Sequence, residues 1–385
     1  NTRPRPPLRT RDLRLPKATM GKEQKESQEA SSVAPRDRSV TPLASFNELP
    51  EWMKHNEHIR SGYLPHMSFS DSLHFGLFHI HNETCNIWTH LIGAILFMSL
   101  ITFTILHLTH VDIRIAEFYS TLVHETHPFE HAADLLHATE EAFLDAFRHF
   151  PPRLIPPNLQ HAAFDKAHRA LTAVLFEHKM GILPLLIGAV ICLLGSTVYH
   201  TLWNMGEGWM VWFSRVDYVG IIVLSIGHSM VASYYELYCR PELVLRYQVA
   251  ISVVALPSIL LFLHPDFFKP AWVVRRTVLF VAIGWLNALP TLHAAALHLP
   301  KGPAYDDFWA HSVYMAVAGS SYLIGAYMFA RRVPEKWWPG RFDYFFNSHN
   351  FLHLFVLAGA SIHFAGAVNS FFYRLEFGCS LSPLL

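Results

Sequence analysis

Three short runs carry side chains that could hold a metal ion or move a proton. In Ser348-His349-Asn350-Phe351-Leu352-His353 two histidines stand four apart, so on a helix they project from one face, one turn from each other. Ser196-Thr197-Val198-Tyr199-His200 gives a serine and a histidine the same spacing, and Asp217 opens another apolar run. Three neutral imidazoles leave one tetrahedral position open, the pattern of a catalytic zinc with a bound water. A carboxylate such as Asp217 would orient or deprotonate that water, whose pKa the metal lowers to about 7. Ser196, one turn from His200, would donate to the hydroxide or to an oxyanion. Iron and copper also accept imidazoles, but an all-histidine set beside a carboxylate most simply suits zinc. The competing reading is that such histidines only hydrogen-bond across a bundle.

What must position these residues follows from composition. The chain of 385 residues has 30 basic and 30 acidic side chains, is 16% charged and 51% hydrophobic, and contains 26 histidines. Its mean hydropathy is +0.22. Soluble domains carry about a quarter charged residues, so the balance points to a polytopic membrane protein. No basic excess supports nucleic-acid binding. Seven apolar stretches are each near the length of a spanning helix: about 86–108, 181–203, 217–238, 248–263, 272–291, 308–330 and 351–373. The expected fold is an all-α seven-helix transmembrane bundle. Its domains read as a disordered cytoplasmic tail (1–45), a cytoplasmic lead-in (46–85), the membrane domain (86–373) and a short exoplasmic tail (374–385). The basic start has no apolar region behind it, so no signal peptide is expected.

Orientation comes from the short loops. Arg215, Lys269, Arg275, Arg276, Arg331, Arg332, Lys336 and Arg341 fall on the N-terminal side; Arg240, Arg246, Lys301 and Arg374 fall opposite. The bias places the N-terminus in the cytoplasm and the C-terminus outside it. His200 ends a returning span while Asp217, His349 and His353 begin outgoing ones, so all four share one depth.

Between the first two spans lies a long exoplasmic loop, 109–180, with eight histidines from His124 to His178 and two helical patterns split by PPRLIPP. It reads as a small amphipathic hairpin or, alternatively, a metal-responsive segment. His228 and His363 either line an internal cavity or make satisfied polar contacts between helices, and His81, Glu83 and His90 look like an interface cluster. Trp88, Trp203, Trp209, Trp212, Trp272, Trp309, Trp337 and Trp338 suit an aromatic belt. Four cysteines give neither a disulfide framework nor a CxxC metal pair.

Longer motifs carry a resemblance. LPEWMKHN from Leu49, Gly62-Tyr63, HNETCNIWTHLIG from His81, STVYH, SRVDYVGI from Ser214 and PEKWWPGRFDYFFNSHNFLHLF from Pro334 resemble the progestin and adipoQ receptor family, which is haemolysin-III-related. The similarity covers 47–108 and 181–373. It implies a seven-helix bundle reversed relative to G-protein-coupled receptors, with a buried zinc near the cytoplasm. His200, His349 and His353 fall on that family's ligands, Asp217 on the aspartate that hydrogen-bonds the metal water, and Ser196 on the motif serine. The 109–180 insertion departs from the pattern, so the extracellular ligand of the adiponectin and progestin receptors is not implied. Fungal relatives tied to zinc and sterol homeostasis are an equal comparison.

The function expected is a zinc-dependent intramembrane lipid hydrolase acting on an amide such as ceramide, with Asp217 and Ser196 catalytic and zinc the cofactor. The alternative is a receptor for an exoplasmic protein or steroid ligand, with a structural zinc. A transporter is disfavoured, because no acidic pathway or inverted repeat is visible. Plasma membrane and endomembrane are both compatible.

Overall fold

The computed structural model describes residues 43–124, 157–264, 267, 272–298 and 306–377. Within them a short helix α1 (Phe69–Phe78) precedes α2 (Thr84–His124), α3 (Pro157–Leu202), α4 (Glu207–Glu236), α5 (Pro241–Leu263), α6 (Val273–His298), α7 (Asp306–Arg331) and α8 (Ser348–Phe377). Among the described residues no strand occurs, only an isolated bridge between Ala44 and Tyr63. The helices α2 to α8 are each long and apolar enough to cross a membrane, as expected from hydropathy. Most of the 1–45 tail, the 132–150 helical pattern and residues 378–385 lie outside the described residues.

Two helix starts differ from the sequence reading. The third span begins at Glu207, not at Asp217. Glu207 and Arg215 lower the hydropathy of its first turns, yet the backbone is already helical there. Asp217 therefore sits nearly three turns inside the helix, about 15 Å from its start. The fourth begins at Pro241, which suits a first helical turn because its missing N–H would have no partner there.

The described parts of the 109–180 segment are continuous with the spans that flank them. Residues 106–124 continue α2 and residues 157–179 precede the apolar part of α3 without a break. At 1.5 Å per residue these extensions reach about 28 Å and about 34 Å past the apolar spans.

The bundle is organised around α3, which packs on α2 and α4; α8 touches α2, α3, α4 and α7, and α5 and α6 pack on α4. The central apolar core joins Ala94 and Phe97 of α2, Leu185, Leu186 and Leu193 of α3, Leu224 and Val231 of α4, and Ala360 and Ala367 of α8. A second core holds Ile222, Ile251, Phe262 and Ile283 between α4, α5 and α6. Glycines let α3 and α4 approach closely. A Cβ at Gly220 would stand 2.8 Å from Cys192 Cα, and one at Gly227 would stand 2.4 Å from the Pro184 carbonyl oxygen.

The lead-in is a small packed unit. Leu49, Met53, Ile59 and Tyr63 form a core with Trp203, so that tryptophan is buried rather than part of an aromatic belt. Trp209, Trp212, Trp337 and Trp338 are exposed. The lead-in is fastened to the segment before α8: Asp343 accepts from the Arg60 backbone N–H at 2.9 Å and from Ser61 Oγ at 2.6 Å. Gly62, at φ 83°, lies under the Tyr344 ring, where a Cβ would meet Cε1 at 2.9 Å. Cys85 and Cys192 are free thiols, whereas Cys239, just past α4, is disulfide-bonded, which the sequence reading did not anticipate.

Candidate metal centre

The helix that supplies two of the histidines has a heavily capped start. Asn347 Oδ1 accepts from the backbone N–H groups of His349 at 3.1 Å and Asn350 at 3.0 Å. The buried Glu335 carboxylate accepts from the Ser348 N–H at 2.7 Å, bonds its hydroxyl, and receives Asn56 Nδ2 at 3.2 Å. A helix N-terminus leaves N–H donors without intrahelical partners and carries positive charge, so both oxygens are suited to it. The first turn of α8 is thereby fixed against the lead-in.

From that turn His349 and His353 face His200 of α3. The three ring centroids form a near-equilateral triangle, with His200 4.8 Å from His349 and 4.7 Å from His353, and His349 4.9 Å from His353. One ring nitrogen of each lies within 4.8 Å of the others, and His200 and His353 are buried. The three-histidine convergence read from spacing is thus present, and the cluster can hold a metal ion.

What stands behind the rings decides their chemistry. His200 Nδ1 is 2.8 Å from Glu83 Oε2. His353 Nδ1 is 3.1 Å from the Asn86 carbonyl oxygen, which can only accept, so this nitrogen carries the proton. In both neutral rings Nε2 then keeps its lone pair, and His200 Nε2 is buried without a partner. An oxygen acceptor on the far nitrogen of a ligand imidazole is the usual support of a metal site, because it fixes the tautomer and the ring plane. The donor set therefore fits a metal that accepts nitrogen ligands.

Glu83, which the sequence reading grouped with His81 and His90 as an interface cluster, and Asn86, which it did not single out, stand behind two of the rings. Asn86 works as a hub: its Nδ2 donates to Glu83 Oε2 at 2.7 Å, and its Oδ1 accepts from Asn350 Nδ2 at 2.7 Å. One side chain of α2 thus ties the supports of α3 to the start of α8. The signal was in the sequence as Glu83, Asn86 and His90, which share one helical face at steps of three and four. Asp217 lies outside the triangle of ligand atoms. It accepts a hydrogen bond from Ser196 and lies within electrostatic reach of His200.

His228 and His363 form a separate layer, ten or eleven residues further along α4 and α8. Their Nδ1 atoms face each other, and His228 Nε2 is 2.9 Å from the Tyr322 hydroxyl. Of the two readings kept open, polar contact between helices is the one observed.

With this geometry in place, comparison with known proteins places the chain. The sequence profile described as Haemolysin-III related matches residues 78–364. The chain belongs to that family. It is 31% identical to the heptahelical transmembrane protein ADIPOR1 of Oryza sativa subsp. japonica, over 89% of this chain and 88% of that one. It is 30% identical to heptahelical transmembrane protein 3 of Arabidopsis thaliana, over 85% and 86%. To the adiponectin receptor protein of Drosophila melanogaster it is 24% identical, over 89% of this chain and 62% of the relative. The haemolysin-III-related chain is accordingly an integral, multi-pass membrane protein.

Proposed function

We propose that the protein is a zinc-dependent intramembrane hydrolase of a lipid amide such as ceramide. The observation that carries this reading is the triangle of His200, His349 and His353, with oxygen acceptors behind two rings and a Ser196–Asp217 pair alongside. Bound there, zinc would supply a Lewis acid for the acyl carbonyl and would lower the pKa of a bound water to about 7. Every other part is done by the chain. Glu83 and the Asn86 carbonyl hold two ligand rings in one tautomer, so no ring reorientation is needed during reaction.

Asp217 is the proton carrier. Its carboxylate takes a proton from the attacking water as the acyl C–O bond forms. It returns that proton to the leaving nitrogen as the C–N bond breaks, releasing a fatty acid and an amine. The Ser196 hydroxyl, by donating to Asp217, orients the carboxylate. The buried apolar helices keep bulk water away from the reacting carbonyl.

The orientation that fits this reading puts the histidine cluster on the cytoplasmic side, in accord with the loop charges. The disulfide at Cys239, at the opposite end of α4 from its Glu207 start, is chemistry of an oxidising compartment and supports the same assignment.

A second reading has a specific support. One relative is named an adiponectin receptor protein and another a progestin and adipoQ receptor-like protein, and α2 and α3 extend far past their apolar spans on the side away from the cluster. A receptor with an exoplasmic protein or steroid ligand would use the metal only to fix α3 against α8. Asp217→Asn separates the two. A hydrolase loses lipid-amide turnover by about 100-fold or more while keeping its zinc. A structural metal keeps both its zinc and its signalling. Undiminished turnover in Asp217→Asn would contradict the hydrolase mechanism.

A further inference from the structure

Beside the three converging histidines stands a fourth, His90 of α2. It is 4% exposed, and its ring stacks on His353 with centroids 3.8 Å apart and planes 23° apart. Its Nε2 lies 3.3 Å from the His353 carbonyl oxygen. A carbonyl only accepts, so Nε2 carries the hydrogen of the neutral ring and Nδ1 is left as a bare lone pair. That Nδ1 is buried and has no hydrogen-bond partner. Its nitrogens are not part of the converging ligand set either.

A buried acceptor without a donor is costly, and such groups in native structures call for an explanation. The neighbours of His90 on its own helix face are already committed. Glu83 receives His200 and Asn86 Nδ2, and Asn86 receives Asn350 and His353. His90 Nδ1 is therefore an acceptor held beside the ligands and awaiting a donor from outside the chain.

We infer that this donor is the N–H of the substrate amide, and that His90 makes the site select secondary amides over esters and N-alkylated amides. The inference rests on the hydrolase reading and names its substrate class. A secondary amide carries one N–H next to the carbonyl to be cleaved. An ester carries none, and would leave His90 Nδ1 unpaired in a dry site. Sites built to hydrogen-bond a substrate group reject analogues that lack it far more strongly than apolar pockets reject a methylene.

The test uses the full-length protein, purified in detergent with its zinc content measured. Three matched probes compete against a fluorescent lipid and are assayed for hydrolysis: a fatty-acyl secondary amide, its N-methyl derivative and the corresponding ester. The wild type is expected to bind the secondary amide at least ten-fold more tightly than either analogue. His90→Phe keeps the ring stack and the zinc but erases that preference. His90→Gln, which has both a donor for the His353 carbonyl and an acceptor, retains most of it. Equal binding of all three probes by the wild type, or an undiminished preference in His90→Phe, overturns the inference and leaves the acceptor to water. A preference in binding with no hydrolysis of any probe supports the acceptor role and defeats the hydrolase reading instead. Hydrolysis with no preference does the reverse.

Discussion

The bundle contains two layers of histidines, drawn in part from the same helices, and they differ in what stands behind the rings. In the layer of His200, His349 and His353, two of the rings give their N–H to oxygen acceptors, Glu83 and the Asn86 carbonyl, and point their remaining lone pairs inward. In the layer of His228 and His363, about 15 Å further along α8, the rings face each other and Tyr322. His228 thus has both nitrogens occupied by partners. The first arrangement leaves converging nitrogen donors for a cation, whereas in the second the contacts of His228 tie α4, α7 and α8 together. Histidine count alone does not separate a metal site from an interhelical tie; convergence of three ring nitrogens, with oxygen acceptors behind two of the rings, does.

The largest expected effect tests that statement at its source. Glu83→Gln removes the carboxylate behind His200 while keeping its shape, and should weaken zinc affinity by about 10- to 100-fold, as loss of the acceptor behind a metal-ligating imidazole does. A chelator competition reads the shift. An unchanged affinity would mean that the Glu83–His200 contact is a packing feature, and the contrast between the layers would lose its main support.

Helix spacing comes next. Gly220 lies three residues after Asp217 and against Cys192, so Gly220→Ala must push α3 and α4 apart near the Ser196–Asp217 pair. Overpacking of this kind costs about 1–3 kcal/mol, which should appear as a lowered melting temperature in detergent. Turnover should fall with it.

The second layer gives the matching control. His228→Phe leaves the Tyr322 hydroxyl without its hydrogen-bond partner, at a cost of about 1–2 kcal/mol, yet should leave zinc content at the wild-type value. Zinc loss in that variant would show that the two layers are not independent. The smallest effect is at the cap: Glu335→Gln weakens the hold on the Ser348 N–H and should cost about 1 kcal/mol. Melting should shift slightly with little change in zinc.

Much of this was legible in the sequence, for identifiable reasons. A bilayer demands long apolar helices, so hydropathy alone set the seven spans. Spacing of four put His349 with His353 and Ser196 with His200 on single faces. The first turns of α4 escaped because Glu207 and Arg215 depress the hydropathy of a segment that is nonetheless helical. Glu83, Asn86 and His90 were visible as polar residues at a span start, but their roles depend on α2 packing against α3 and α8, which local spacing does not encode. The same holds for Trp203, whose burial comes from the lead-in folding over it. His228 and His363 had no assigned partner until α4 and α8 were placed side by side.

The most direct test of the central claim is the metal content of the purified full-length protein, measured by mass spectrometry for three forms side by side. These are the wild type, His349→Ala/His353→Ala, and His228→Phe/His363→Phe. The account predicts about one zinc per chain in the wild type, almost none in the first variant and wild-type content in the second. Zinc retained without His349 and His353, or absent from the wild type after chelator-free purification, would contradict it.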